Sequence, residues 1–142
     1  MIKKIPHLLS EAECESIITI FEESKKTQTH RDTQILPYRN EKILKDLSKY
    51  FKMESLLNPD AMEIVKWPTG SKMAPHIDPD DKYAVVIYLN DNFKGGRTLL
   101  ENKMINPETG KLIVFNSQKM EHGVEKVMGD RFTYISWWKK QL

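Results

Sequence analysis

Arg131-Phe132-Thr133-Tyr134-Ile135-Ser136-Trp137-Trp138 is the stretch that decides the fold. Its β-branched and aromatic residues favour a strand. Alternation places Arg131, Thr133, Ile135 and Trp137 on one face and the other four side chains on the opposite face. The arginine is the unusual member of that set. Its charge is permanent, and its planar fork pairs with a carboxylate through two parallel hydrogen bonds. Turned into a barrel, it needs an anion, either from the protein or from a ligand.

Further strand-like runs lie upstream: Ala61–Trp67, Tyr83–Leu89, Thr98–Leu100, Lys111–Phe115 and Gly123–Val127. Turn chemistry separates them at Pro68-Thr69-Gly70, Pro79-Asp80-Asp81, Gly95-Gly96, Pro107-Glu108-Thr109-Gly110 and Gly129-Asp130. Short strands at this spacing predict a sandwich or barrel. The first third is helical in pattern. Ser10-Glu11-Ala12-Glu13 has the form of a capping box, and Cys14, Ile17, Ile18 and Phe21 follow at helical spacing. Cys14 is therefore expected in the core. Ile43, Leu44, Leu47, Tyr50 and Phe51 form a second amphipathic pattern that ends before Asn58-Pro59-Asp60. Between the two helices, residues 27–39 are polar and contain Pro37. They predict a loop, either a plain connection or a lid over an active site. The expected fold is α+β, mainly β, in one domain. Residues 1–60 would be mainly helical support, and residues 61–142 the barrel core.

Composition narrows the function classes. The 142 residues suit a single domain with a sizeable core. A hydrophobic fraction of 39% with 30% charged residues describes a globular chain. Twenty-two basic and 20 acidic side chains leave a net charge of +2, so nothing points to nucleic acid or an acidic membrane as partner. Lys3-Lys4 and Lys139-Lys140 are too short to change that. Cys14 is the single cysteine, which excludes an internal disulfide and suits a reducing compartment. Pro6, His7, Ser10 and Glu11 interrupt any signal-like run, and no segment nears the roughly 18 apolar residues of a membrane span. The expected location is the cytoplasm.

The chemistry-bearing residues are few. His76-Ile77-Asp78 sets an imidazole and a carboxylate two apart, on one face of an extended segment. Four histidines and eight aspartates would supply such a pair by chance in about a fifth of similar sequences, so it needs a third ligand. His122 stands 46 residues after His76, near the start of a later strand. Two histidines and one carboxylate make a facial triad that suits non-haem iron(II) and leaves coordination positions open. Arg131 follows His122 by nine residues. His7 and His30 match no pattern and are expected at the surface.

The order His76-x-Asp78, Tyr88-Leu89-Asn90, Gly95-Gly96, Pro107-x-x-Gly110, His122 and Arg131 resembles the 2-oxoglutarate/iron(II) oxygenase superfamily, most of all its prolyl-4-hydroxylase-like branch. The resemblance implies a double-stranded β-helix, a jelly-roll barrel with iron inside one end. It implies His76, Asp78 and His122 as the metal-binding and catalytic set. It places Arg131 on the distal carboxylate of 2-oxoglutarate, with Tyr88 assisting and Thr133 beside it. Trp137 matches an inward tryptophan of the pocket wall. Trp67-Pro68 stands where many relatives have Tyr-Pro. The phenol is missing, and an indole nitrogen donates but does not accept. The implied cofactors are iron(II), 2-oxoglutarate and O2, with ascorbate as reductant. The implied reaction hydroxylates a prolyl or other residue in a peptide or protein and releases succinate and CO2. A free amino acid or other small-molecule substrate is the alternative. Asp78 favours hydroxylation, because halogenating relatives lack that carboxylate.

Three rival readings use the same residues. Zinc hydrolysis would want a nearby general base, and Glu121 should point away from His122. A nucleic-acid dealkylating relative would carry a second arginine six residues after the first, where this chain has Trp137. A non-catalytic metal-binding module would have no need of Arg131.

Overall fold

The computed structural model describes residues 3–50 and 62–138. The chain runs β1 (Lys3–Ile5), α1 (Glu11–Glu23), β2 (Gln28–His30), β3 (Thr33–Pro37), α2 (Glu41–Tyr50), β4 (Met62–Trp67), β5 (Met73–His76), β6 (Tyr83–Tyr88), β7 (Lys94–Gly95), β8 (Thr98–Leu100), β9 (Lys103–Ile105), β10 (Leu112–Asn116), β11 (His122–Val124), β12 (Val127–Met128) and β13 (Arg131–Trp138). Seven strands form one antiparallel sheet in the order β1-β10-β6-β13-β4-β3-β2. A four-stranded sheet, β5-β11-β8-β9, lies against it, and β7 pairs with β12. No helix among the described residues is long and apolar enough to cross a membrane.

The large sheet is covered on both faces, and this explains its composition. Cys14, Ile17 and Phe21 of α1 and Ile43 and Leu47 of α2 pack with Ile64, Val85, Ile87, Leu112, Phe132 and Tyr134 on the outer face. On the inner face Ala84, Val86, Ile113 and Phe115 meet Leu100 and Ile105 of the small sheet. Strands buried on both sides carry continuous apolar runs, as β6 and β10 do. Alternation holds along β13: Phe132, Tyr134 and Trp138 join the helix-covered core. The capping box is formed, with Ser10 accepting from the Glu13 amide and Glu13 accepting from the Ser10 amide, both at 3.1 Å. Cys14 is fully buried, and desolvation, reinforced by the neighbouring Glu13 charge, pushes its thiol up to about 11.

Some expectations need correction. The first third contains three strands besides its two helices, and all three join the seven-stranded sheet. Residues 27–39 are a hairpin rather than a loop, with β3 paired to β4 from Gln34↔Lys66 to Pro37↔Glu63. The expected strand Gly123–Val127 divides into β11 and β12, since Glu125 leaves the ladder to bond Arg97. β5 escaped notice because Pro75 interrupts it, which an edge strand tolerates. Phe51, Ala61, the Asn58-Pro59-Asp60 turn and Lys139-Lys140 fall outside the described residues.

Gly110 fastens the N-terminal segment to the barrel. Its φ is +85°, its amide donates to the Tyr88 carbonyl at 2.8 Å, and its carbonyl accepts from the Leu9 amide at 3.3 Å. A β-carbon there would collide with the Leu9 carbonyl, whereas one at Gly70, with φ +92°, would meet open space. Gly70→Ala is expected to cost only the left-handed strain, about 1–2 kcal/mol. Gly110→Ala should cost about 3 kcal/mol or more. Urea unfolding followed by tryptophan fluorescence measures both, and equal losses would contradict this account of Gly110.

Candidate active site

The antiparallel pairing of β11 with β5 brings two distant histidines together. His122, the first residue of β11, stands opposite His76, the last of β5, and their ring centroids are 4.5 Å apart. Asp78 lies just past the end of β5, where its amide donates to the Ser117 carbonyl at 2.8 Å. The chain therefore reaches Asp78 after the strand has ended, and bends only beyond it at Pro79-Asp80. Asp78 Oδ1 is 3.5 Å from His76 Nε2 and 3.7 Å from His122 Nε2. The three ligand atoms all lie within 4.8 Å of one another.

Backbone carbonyls orient both rings. His76 Nδ1 is 2.9 Å from the Ala74 carbonyl, and His122 Nδ1 is 2.9 Å from the Met120 carbonyl. A carbonyl only accepts, so each Nδ1 carries a proton and each Nε2 is turned toward Asp78. Burial holds the His122 pKa below the ordinary imidazole value, which favours the neutral form. Lys82 Nζ is 3.8 Å from Asp78 Oδ2 and lies 5.5 Å from the centre of the Trp137 ring.

His76, Asp78, His122 and Trp137 line a cavity of about 780 Å³ between the two sheets. Arg131 lines it too and is 2% exposed. Its Nε donates to the Gly96 carbonyl at 2.9 Å and its Nη2 to Thr98 Oγ1 at 3.3 Å. The guanidinium sits 5.1 Å from the Trp67 ring centre and 5.6 Å from that of Tyr88. Among the described residues, no carboxylate lies within 4.0 Å of it. Burial draws its pKa down to about 10, so it stays charged at neutral pH.

Trp67 and Trp137 line the cavity as expected, while Tyr88 and Thr133 are buried behind its wall. The Tyr88 hydroxyl reaches Arg131 only through Thr98 Oγ1, to which it is hydrogen-bonded. Trp67 Nε1 and Thr133 Oγ1 are buried without a hydrogen-bond partner among the described residues. Sequence reasoning missed Thr98, because threonine in a strand carries no distinctive signal. It read Gly96 as a turn residue only. A β-carbon at Gly96 would lie 3.1 Å from Arg131 Cδ, so the glycine also admits the arginine. His30 is exposed, as expected, but with Arg31, Asp32 and Thr33 of the hairpin it borders the cavity.

The model of the 2OG-Fe(II) oxygenase superfamily matches residues 62–139. The chain belongs to this superfamily. As a 2OG-Fe(II) oxygenase it is an enzyme whose family chemistry uses iron(II) and 2-oxoglutarate. No curated protein matches it in sequence. Solved structures share its fold. A Pseudomonas putida prolyl-4-hydroxylase superposes with a TM-score of 0.80 at 16% identity, covering 99% of this chain and 93% of the other. A Trichoplax adhaerens prolyl hydroxylase in complex with a hypoxia inducible factor peptide gives 0.78 at 19%, with coverage of 98% and 83%. HygX from Streptomyces hygroscopicus, with nickel, 2-oxoglutarate and hygromycin B bound, gives 0.76 at 12%, with 99% and 83%. The fold of the oxygenase is thus the double-stranded β-helix.

An unpaired buried cation opposes folding. Because burial holds the folded-state pKa of Arg131 below the ordinary guanidinium value, at about 10, the penalty is fully present below about pH 10 and fades as pH rises through that value. Without ligands, Arg131→Met in the oxygenase should therefore be as stable as wild type, within about 1 kcal/mol, or more stable. Thermal melts near pH 7 check this. A loss above about 2 kcal/mol would mean that the lost hydrogen bonds outweigh the buried charge.

Proposed function

We propose that this cavity is the oxygenase active site, with His76, Asp78 and His122 as the iron(II) ligands and Arg131 as the grip on 2-oxoglutarate. The observation that carries the reading is Arg131 itself: a buried cation with no protein carboxylate among the described residues, in the cavity that holds the triad. The donor set fits the metal. Two imidazoles and a carboxylate converge there, a donor set that leaves coordination positions open on such a metal. Ligands at right angles and about 2.1 Å from one ion would be about 3 Å apart. The spacings of 3.5 and 3.7 Å need only small movements to reach that.

Arg131 binds the distal carboxylate of 2-oxoglutarate, and Thr98 fixes the guanidinium while relaying the Tyr88 hydroxyl to it. Trp67 Nε1, without a partner among the described residues, takes over a hydrogen bond to the co-substrate, and Thr133 stands two residues from Arg131 on the same face of β13. Trp137 walls the pocket. Bound there, iron(II) and 2-oxoglutarate would supply the O2 chemistry, in which one oxygen atom would enter a C–H bond of the substrate and the other the succinate formed as 2-oxoglutarate loses CO2. The protein's share is to position the reactants and keep bulk water out.

The substrate assigned by this reading is a prolyl or other residue in a peptide or protein. It draws on the shared fold of the two prolyl hydroxylases, one of them seen with a peptide. A second reading, a free amino acid or other small molecule, draws on the cavity volume of about 780 Å³, which suits a drug-sized ligand. The hairpin turn at Arg31-Asp32 borders the cavity and meets the substrate in either case.

Anaerobic titration with iron(II) and 2-oxoglutarate, ascorbate being present, tests the site. A visible charge-transfer band is expected, weakened by His122→Ala and by Arg131→Ala. No band with iron bound would remove 2-oxoglutarate from this cavity and bring zinc hydrolysis or a non-catalytic metal site forward. Shortening the hairpin by Arg31 and Asp32 should lower substrate-stimulated succinate release about tenfold or more while leaving the band in place. Unchanged release would exclude the hairpin from substrate handling.

A further inference from the structure

We propose that Glu63 is the recognition group for a positively charged part of the prime substrate, an ammonium or guanidinium. The inference rests on the cavity being the oxygenase active site.

Glu63 faces inward by the register of β4. Val65 and Trp67, two and four residues on, line the cavity with it, while Met62 and Ile64 pack under the helices. Glu63 stands opposite Ile135, and Ile135 and Trp137 line the same wall. Its carboxylate is partly buried, and no hydrogen bond or ion pair is made to it among the described residues. Of the other charged groups on the cavity, Arg31, Lys72 and Arg131 all lie beyond 4.0 Å of it, and Asp32 and Asp78 have the wrong sign. Burial alone raises its pKa, with no neighbouring charge contributing. A carboxylate withdrawn from water with nothing to offset the loss is costly unless a cation arrives.

Its position separates it from the co-substrate. Trp67 is paired with Arg131, and Glu63 lies four residues back along the strand, or about 13 Å at 3.3 Å per residue. Among the described residues, the cavity therefore carries a buried unpaired cation toward one end and a partly buried unpaired anion toward the other, its remaining charges being exposed or at the triad. Arg131 suits the dicarboxylate, and Glu63 would repel it. That leaves Glu63 for the second molecule. A neutral prolyl ring has no use for a carboxylate, so the cation must sit on a residue beside the hydroxylated one, or the hydroxylated molecule must itself be basic.

Succinate release by the iron-loaded full chain provides the test. The probes are three pools of short proline-containing peptides that differ at one position beside the proline: lysine or arginine, glutamine, or glutamate. Free lysine and arginine are run against norleucine and citrulline. The cationic probes should exceed their neutral counterparts by about tenfold or more in kcat/KM. Glu63→Gln, which keeps the shape and removes the charge, should bring the two classes level. Glu63→Lys should shift the preference to the glutamate pool. Absence of any charge preference in the wild type, or its survival in Glu63→Gln, would overturn the proposal. A wild type that shows the charge-transfer band but no preference sinks this inference alone, whereas one without the band sinks the reading of the site beneath it.

Discussion

The structure depends on β13 being paired on both sides. It bonds β4 along one edge and β6 along the other, at the centre of the seven-stranded sheet. A strand so placed cannot slip by one residue without exchanging its two faces. Such a slip would put Phe132, Tyr134 and Trp138 into the cavity and press a guanidinium against the helices. Packing thus enforces the side on which Arg131 appears. The same register brings Trp67 directly opposite Arg131. What begins as a hydrophobic constraint becomes an electrostatic one.

The remaining site is built mostly from backbone. Two carbonyls hold the imidazoles, and a third accepts from the arginine. Main-chain acceptors move less than side chains, so the donor atoms meet at defined positions before anything binds. The small sheet supplies both histidines and Thr98, and the large sheet supplies Arg131 and Trp67. Each sheet holds one half of the chemistry, and packing between them brings the halves together.

Much of this was legible in the residues. The strand Arg131–Trp138 stands where alternation placed it, the capping box is made, and His76, Asp78 and His122 converge. The failures have physical causes. The β2–β3 hairpin is polar because it forms an edge of the sheet, so no apolar alternation marks it. Its turn uses Arg31 at φ 54° where glycine or asparagine would have given a signal. Glu63 could be placed on a strand, but its isolation shows only when every neighbour is in place. Thr98 matters because two other side chains converge on it, a property of the fold and not of its local sequence.

Cys14 carries a consequence for an enzyme that handles oxygen. Thiols are oxidised chiefly as thiolates, so susceptibility follows acidity and access. Cys14 is fully buried beneath α1, on the face of the sheet away from the cavity, and its thiol is pushed up to about 11. Near neutral pH almost none of it is ionised. Reactive oxygen escaping a failed turnover meets no accessible sulfur nucleophile at this position, and the chain's single cysteine is spared as a point of self-inactivation.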